Sequence, residues 1–165
     1  MVYLKAKQAD ALPQTVTTQL TQVRAAGKTI VLVTGVFDLF HEEHQQFLAN
    51  AKERGDFLVV GLESDARVRA LKGSGRPVQS EAERWQQLTD NSAADLAFVL
   101  PDDFSLPQHH RALIKSIQPQ FLAVSSHSPH LDKKQAILAE FGGQVVVVHQ
   151  HNPAISTSQL IAQQR

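Results

Sequence analysis

Five short runs of apolar, largely β-branched residues constrain this chain more than any other feature. They cover 29–34 (TIVLVT), 57–61 (FLVVG), 96–100 (LAFVL), 121–124 (FLAV) and 144–149 (QVVVVH). Each is short and almost free of polar residues, as a strand covered on both faces would be. Between them lie stretches with helical spacing at 41–54, 65–71, 81–91, 106–117 and 131–141. Two more helices are expected, over 15–26 and from about Ser156 onward. Gly27, Gly55 and the Gly142-Gly143 pair stand where helices should stop. Strands alternating with helices predict an α/β fold, a doubly wound five-stranded parallel sheet with right-handed crossovers. The expected division is an N-terminal helical segment, 1–28, followed by a single Rossmann-like domain, 29–165.

The chain has 165 residues, which suits one domain, since domains commonly run about 100–200 residues. Its sixteen Lys and Arg balance sixteen Asp and Glu. That balance removes the electrostatic footprint of a nucleic-acid or anionic-membrane binder. It leaves room for a local phosphate site, which needs only a few donors. Cysteine is absent, so disulfides, thiolate metal sites and cysteine nucleophiles are excluded. The first residues lack the apolar core of a signal peptide, and no apolar run approaches the roughly 20 residues that span a bilayer. A soluble, cytoplasmic protein is expected.

In a doubly wound sheet, ligands bind beyond the carboxyl ends of the strands, where strand order reverses. The first strand normally flanks that crevice. It runs into Gly35-Val36-Phe37-Asp38-Leu39-Phe40-His41-Glu42-Glu43-His44. Gly35 lets the backbone leave the strand tightly and a ligand approach it. Asp38 is placed to cap the next helix or to orient a neighbour. His41 and His44, three apart, share one helix face in the first turn, where free N–H groups and the helix dipole favour an anion. Two imidazole donors there suit nucleotide phosphates and would stabilise charge building on an attacked α-phosphate. A zinc protease pattern needs a second His four residues after the first, and position 45 is Gln. A surface helix with two solvated histidines is the plainer alternative.

The stretch 35–44 resembles the G-x-F-D-x-x-H-x-G-H signature of the cytidylyltransferase-like nucleotidyltransferases. Residues 55–61, Ser64-Asp65 and Lys72-Gly73-Ser74-Gly75-Arg76-Pro77 resemble more particularly the adenylyltransferase domain that activates heptose phosphate, with glycerol-3-phosphate cytidylyltransferase second. Ile155-Ser156-Thr157-Ser158 is similar to the I-S-T-T segment of the same group. The resemblance implies transfer of a nucleotidyl group from ATP or CTP to a sugar or polyol phosphate, with release of pyrophosphate and the help of magnesium. It implies that His41, His44 and Lys72 act on the triphosphate. Gly35, Phe37, Asp38, Arg84, Ser156, Thr157 and Ser158 would complete the nucleotide site, with Arg76 in the matching G-R-P loop. No metal-ligating side chain is expected. By analogy, the chain is expected to be a homodimer.

Two positions depart from the family pattern. Glu43 stands where the family has glycine between the histidines. After the fourth strand, where the relatives read K-G-G-D or G-D-D, this chain has Ala123-Val124-Ser125-Ser126-His127. A cation, a glycine and a carboxylate are missing there, and the replacements donate hydrogen bonds without fixed charge. A catalytically weakened relative, binding nucleotide or sugar phosphate as a sensor or regulatory subunit, is therefore the alternative. His109, His110, His127, His130, His149 and His151 follow no ligand spacing and are expected at the surface. Glu43 is expected to turn outward to solvent.

Overall fold

A computed structural model describes residues 1–152 and 154–164; Pro153 and Arg165, both inside the expected 29–165 domain, lie outside the described residues. The five apolar runs form the five strands: β1 (Ile30–Gly35), β2 (Phe57–Leu62), β3 (Leu96–Val99), β4 (Phe121–Ser125) and β5 (Gln144–His149). All pair in parallel, in the order β3-β2-β1-β4-β5. The helices are α1 (Gln14–Ala25), α2 (Glu42–Lys52), α3 (Asp65–Lys72), α4 (Glu81–Asn91), α5 (Pro107–Ile117), α6 (Leu131–Glu140) and α7 (Thr157–Gln163).

Alternation along the strands sorts the core into two layers. Ile30, Leu32, Val59 and Leu122 face Leu20 of α1, Leu113 and Ile117 of α5, and Leu138 of α6. Val31, Val33, Leu58 and Val60 face Leu48 and Ala51 of α2 and Trp85 and Leu88 of α4. Both faces of β1 are thus covered, which is why its sequence is a continuous apolar run rather than an alternating one. Residues 1–28 belong to the first layer, through Ala6, Leu12, Val16, Leu20 and Val23. Within that segment only α1 is helical; Ala6 N–H donates to the Val99 carbonyl and Val99 N–H to that of Leu4. No helix among the described residues is long and apolar enough to cross a membrane.

Local signals fix the helix ends. Ser80 and Glu83 form a reciprocal capping box on α4, and Ser64 accepts from Arg67 N–H on α3. Strand order reverses between β1 and β4, so the crevice of a doubly wound sheet opens at their carboxyl ends. Chain connections then bring the start of α2, the α3–α4 loop, the ends of β4 and β5, and the start of α7 to one place.

Candidate active site

The turn after β1 is shaped by one absence and two left-handed residues. A Cβ on Gly35 would stand 2.8 Å from a ring carbon of Phe37. The glycine therefore makes room for that ring to fold back over the strand end. Phe37 and Leu39 follow with φ of 51° and 48°, a backbone region that non-glycine residues adopt at a cost and that clusters at functional sites. Phe37 is buried, meets His44 edge-on at 5.3 Å and stacks on Phe47 at 6.4 Å.

Asp38 does not cap α2. It is fully buried, and its carboxylate accepts from Val78 N–H at 2.8 Å and Gln79 N–H at 3.1 Å, with Arg76 Nε 3.5 Å away. The side chain clamps the α3–α4 loop instead. The cap is His41, in extended backbone: its Nδ1 accepts from Glu43 N–H at 3.2 Å. His44 Nδ1 accepts from His41 N–H at 3.3 Å, closing a capping box made of two imidazoles. The rings stack 3.7 Å apart. His41 is thus on the helix cap rather than in its first turn, and the box rather than a shared face brings the pair together.

This arrangement decides the tautomer. Each Nδ1 accepts a backbone N–H, so each neutral ring carries its proton on Nε2 and presents a donor there. Burial lowers the His41 pKa, and pushes that of His44 down to about 3, helped by His41 and Lys72 and opposed by Asp38. Both rings are neutral donors at pH 7.

The donors line a cavity of about 350 Å³ with Gly35, Phe37, Asp38, Lys72, Ser156 and Thr157. Lys72 ends α3; burial lowers its pKa and the neighbouring Arg76 adds to the effect. Among the described residues, buried Nε and NH2 atoms of Arg76 have no hydrogen-bond partner. Ser156 caps α7 by accepting from Gln159 N–H, and the Thr157 hydroxyl donates to the Asp38 carbonyl at 2.7 Å. Two residues expected at the nucleotide lie off the cavity wall. Ser158 is exposed in α7. Arg84 is fully buried, donating to the Gln79, Val36 and Glu63 carbonyls and to Asp65 Oδ1 at 2.7–3.2 Å. It pairs with Asp65 of α3 and ties β1, β2, α3 and α4 together behind the cavity.

Residues 32–163 match the model of the cytidylyltransferase-like family. The chain belongs to that family. Among curated relatives it is similar to the bifunctional protein HldE of Geotalea uraniireducens, 37% identical over 145 residues, 87% of this chain and 28% of the relative. It is also similar to the bifunctional protein HldE of Wolinella succinogenes, 43% identical over 101 residues, 61% of this chain and 20% of the relative. The chain thus spans about a quarter of the length of these relatives. Among solved structures, the lipopolysaccharide core biosynthesis protein of Thermoplasma volcanium superposes with a TM-score of 0.61 at 22% identity, over 76% of this chain and 98% of that one. Pantoate-beta-alanine ligase of Francisella tularensis gives 0.56 at 11%, over 98% and 77%. At such identities these two show a shared fold.

The positions that depart from the family pattern face the β4–β5 wall. Glu43 does not turn to solvent: its carboxylate meets His149 Nε2 at the end of β5. Of the histidines expected at the surface, His127 and His151 are exposed, stack at 4.4 Å and line the open cavity, while His149 is half-buried in its wall. Lys134 of α6 donates to the Ser128 hydroxyl at 2.7 Å and brings to this wall a positive charge that Ser125-Ser126-His127 lacks. No motif marked these residues. Their position just beyond the carboxyl ends of β4 and β5, or facing them from α6, was the available signal.

Proposed function

We propose that this chain transfers a nucleotidyl group from ATP or CTP to a sugar or polyol phosphate. The observation that carries this is the convergence of the His41 and His44 Nε2 donors with Lys72 and Arg76 on one cavity at the end of β1. Four donors from three segments match the several anionic oxygens of a triphosphate. The guanidinium of Arg76, without hydrogen-bond partners for two of its nitrogens, is a fork suited to phosphate.

In the reaction, an oxygen of the acceptor phosphate forms a bond to the α-phosphorus. The bond from that phosphorus to the bridging oxygen breaks, and its electron pair leaves with pyrophosphate. No covalent enzyme intermediate is needed. Neutral imidazoles stabilise charge growing on the α-phosphate without the electrostatic cost of holding cations in an empty site. Lys72 and Arg76 take the charge of the departing pyrophosphate.

Among the described residues, no three His, Cys, Asp or Glu groups converge to hold a metal, and Asp38 is engaged by backbone N–H groups. A magnesium ion at this cavity would rest on phosphate oxygens and water.

Pyrophosphate release with ATP and CTP, across sugar and polyol phosphates, tests the proposal. His41→Ala and His44→Ala should each lower turnover by about 10²–10³-fold, as for loss of one transition-state donor. Unchanged turnover in both would remove the pair from the mechanism. A second reading, nucleotide binding without transfer, is favoured by the Glu43 carboxylate on the cavity wall. Tight nucleotide binding by a wild type that releases no pyrophosphate with any acceptor would support it.

A further inference from the structure

Among the described residues, Asp38 and Glu43 bring the two carboxylates of the cavity wall, and backbone N–H groups engage Asp38. Glu43 stands in the first turn of α2, and its N–H donates to His41 Nδ1 at 3.2 Å. Its side chain therefore starts beside the imidazole pair. Its Oε2 accepts from His149 Nε2 at the end of β5, which holds the carboxylate across the cavity. Oε1 takes no hydrogen bond among the described residues. A half-buried carboxylate is thus fixed on the cavity wall with one oxygen to spare.

Lys72 and Arg76 come from the segment after β2, on one side of β1; β4 and β5 lie on the other. With the α-phosphate at the imidazoles and the pyrophosphate portion at Lys72 and Arg76, the uncharged nucleoside is left the β4–β5 wall. Planar rings line that end, from Phe47, His127, His149 and His151, and Phe47 meets His149 edge-on at 6.3 Å. Flat, sequence-tolerant stacking on such rings suits a base. A phosphorylated acceptor would bring anionic oxygens to Glu43 and be repelled there. A base is uncharged and brings N–H donors.

We propose that Glu43, held by His149, reads the exocyclic amino group of the nucleotide's base and so selects ATP or CTP. This rests on the nucleotidyl-transfer reading. Adenine and cytosine carry an amino donor where guanine and uracil carry an oxo acceptor. Only the first two offer a hydrogen to Oε1 there; the others set lone pairs against a carboxylate. Because His149 occupies Oε2, the paired N–H edge of guanine cannot be gripped by both oxygens. A hydrogen bond to a charged acceptor is among the stronger ones, and partial closure from water adds weight to it. The family pattern has glycine at position 43, so this reader belongs to this chain's own sequence. His149 is a positioning residue: it aims the carboxylate.

Nucleotide titration of the wild type, Glu43→Ala, Glu43→Gln and His149→Phe tests this with two matched pairs. These are ATP with purine riboside triphosphate, and CTP with 2-pyrimidinone riboside triphosphate; the second of each pair lacks the exocyclic amino group. The wild type should bind at least one amino nucleotide about tenfold or more tightly than its partner, as for one hydrogen bond to a charged group. Glu43→Ala should bring that ratio to within about twofold, and Glu43→Gln, which keeps an accepting oxygen without the charge, to a value between. His149→Phe frees the carboxylate to swing and should lower the ratio about threefold or more. A ratio compares two ligands on one protein, so a general loss of affinity or stability in a variant cancels. A wild-type ratio within about twofold for both pairs, or a ratio retained in Glu43→Ala or in His149→Phe, overturns the assignment.

Pyrophosphate release with the same nucleotides, across sugar and polyol phosphates, separates this from the transfer reading. Release that ignores the amino group overturns Glu43 as the reader and leaves transfer standing. Amino-dependent binding that Glu43→Ala removes, without release from any acceptor, sinks transfer and leaves the reader standing. No saturable binding of ATP or CTP overturns both.

Discussion

The β3-β2-β1 side of the sheet and the β4-β5 side are built on different terms. β2 and β3 are buried along their whole length, and β1 is buried until its last two residues. The outer edge of β3 is occupied by the bridge from Lys5 to Val99. By contrast β5 is nowhere fully buried, and Val147 is exposed. Its pairing with β4 slips between Val124 and Ser125, so that Ser125 faces His149. Such an irregularity re-aims side chains beside a site, and here it falls where the cavity begins. Asn50 of α2 donates to the Val148 carbonyl at 2.9 Å beside it. The Ser125-Ser126-His127 departure lies on this second side, and Glu43 reaches across to it. One half holds His41, His44, Lys72 and Arg76 beside a buried frame; the other is a more exposed wall.

The largest effect should come from the frame. Arg84→Met leaves Asp65 and three carbonyls without their donor, and should lower stability by about 3–5 kcal/mol, as for breaking a buried ion pair. Arg84→Lys should recover little, because one ammonium cannot span acceptors on four segments. Urea unfolding of the three proteins measures this; a loss under about 1 kcal/mol would dissolve the distinction between the halves.

His44 gives the next effect, seen in acid. Its folded pKa lies far below the ordinary value of 6.5 because of burial. Unfolding therefore takes up a proton at any pH between the two values. The contribution to stability is complete above about 6.5 and is lost as pH falls toward about 3, by at most about 1.4 kcal/mol per pH unit. His44→Gln should flatten that limb in melts taken from pH 7 to pH 4. Parallel curves for mutant and wild type would show that the ring titrates freely.

The smallest effects belong to the β4–β5 wall. A double-mutant cycle of Glu43→Gln with His149→Phe should give a coupling of about 0.5–1 kcal/mol in stability, because both groups keep some access to solvent. His149→Phe alone leaves the Glu43 carboxylate unpaired beside the cavity and should weaken nucleotide binding about five- to thirtyfold, or roughly 1–2 kcal/mol. Titration with ATP and CTP reads the second effect. A stability coupling as large as the loss at Arg84 would make this wall part of the frame.

The frame was legible and the wall was not. Continuous β-branched runs announce doubly covered strands, so β1 to β5 are found within a residue or two of their expected ends. The Gly35–His44 turn could be located because its place after a strand is informative. Its details could not: nothing in the spacing says that Asp38 clamps a loop forty residues on, or that His41 is the cap. Arg84 was expected at the nucleotide, and nothing in the helix spacing says that four acceptors within the protein bury it off the cavity wall. Glu43 and His149 lie 106 residues apart, and an isolated His carries no periodic signal. Lys134 was hidden in the same way, on a helix whose other charges are solvated.

The hydroxyl bond from Thr157 to the Asp38 carbonyl joins residues 119 apart, and so puts a clock into the making of this protein. At a synthesis rate of about 5–20 residues per second, roughly 6–24 s separate the two residues as they leave the ribosome's catalytic centre. Through that interval the turn that seats Phe37 and Leu39 in left-handed backbone exists without its latch. A nascent chain halted after β5 has its sheet-forming segments and its imidazole pair, yet not the Ser156–Thr157 wall. Arrested chains of increasing length should therefore acquire protease resistance before they acquire the finished cavity.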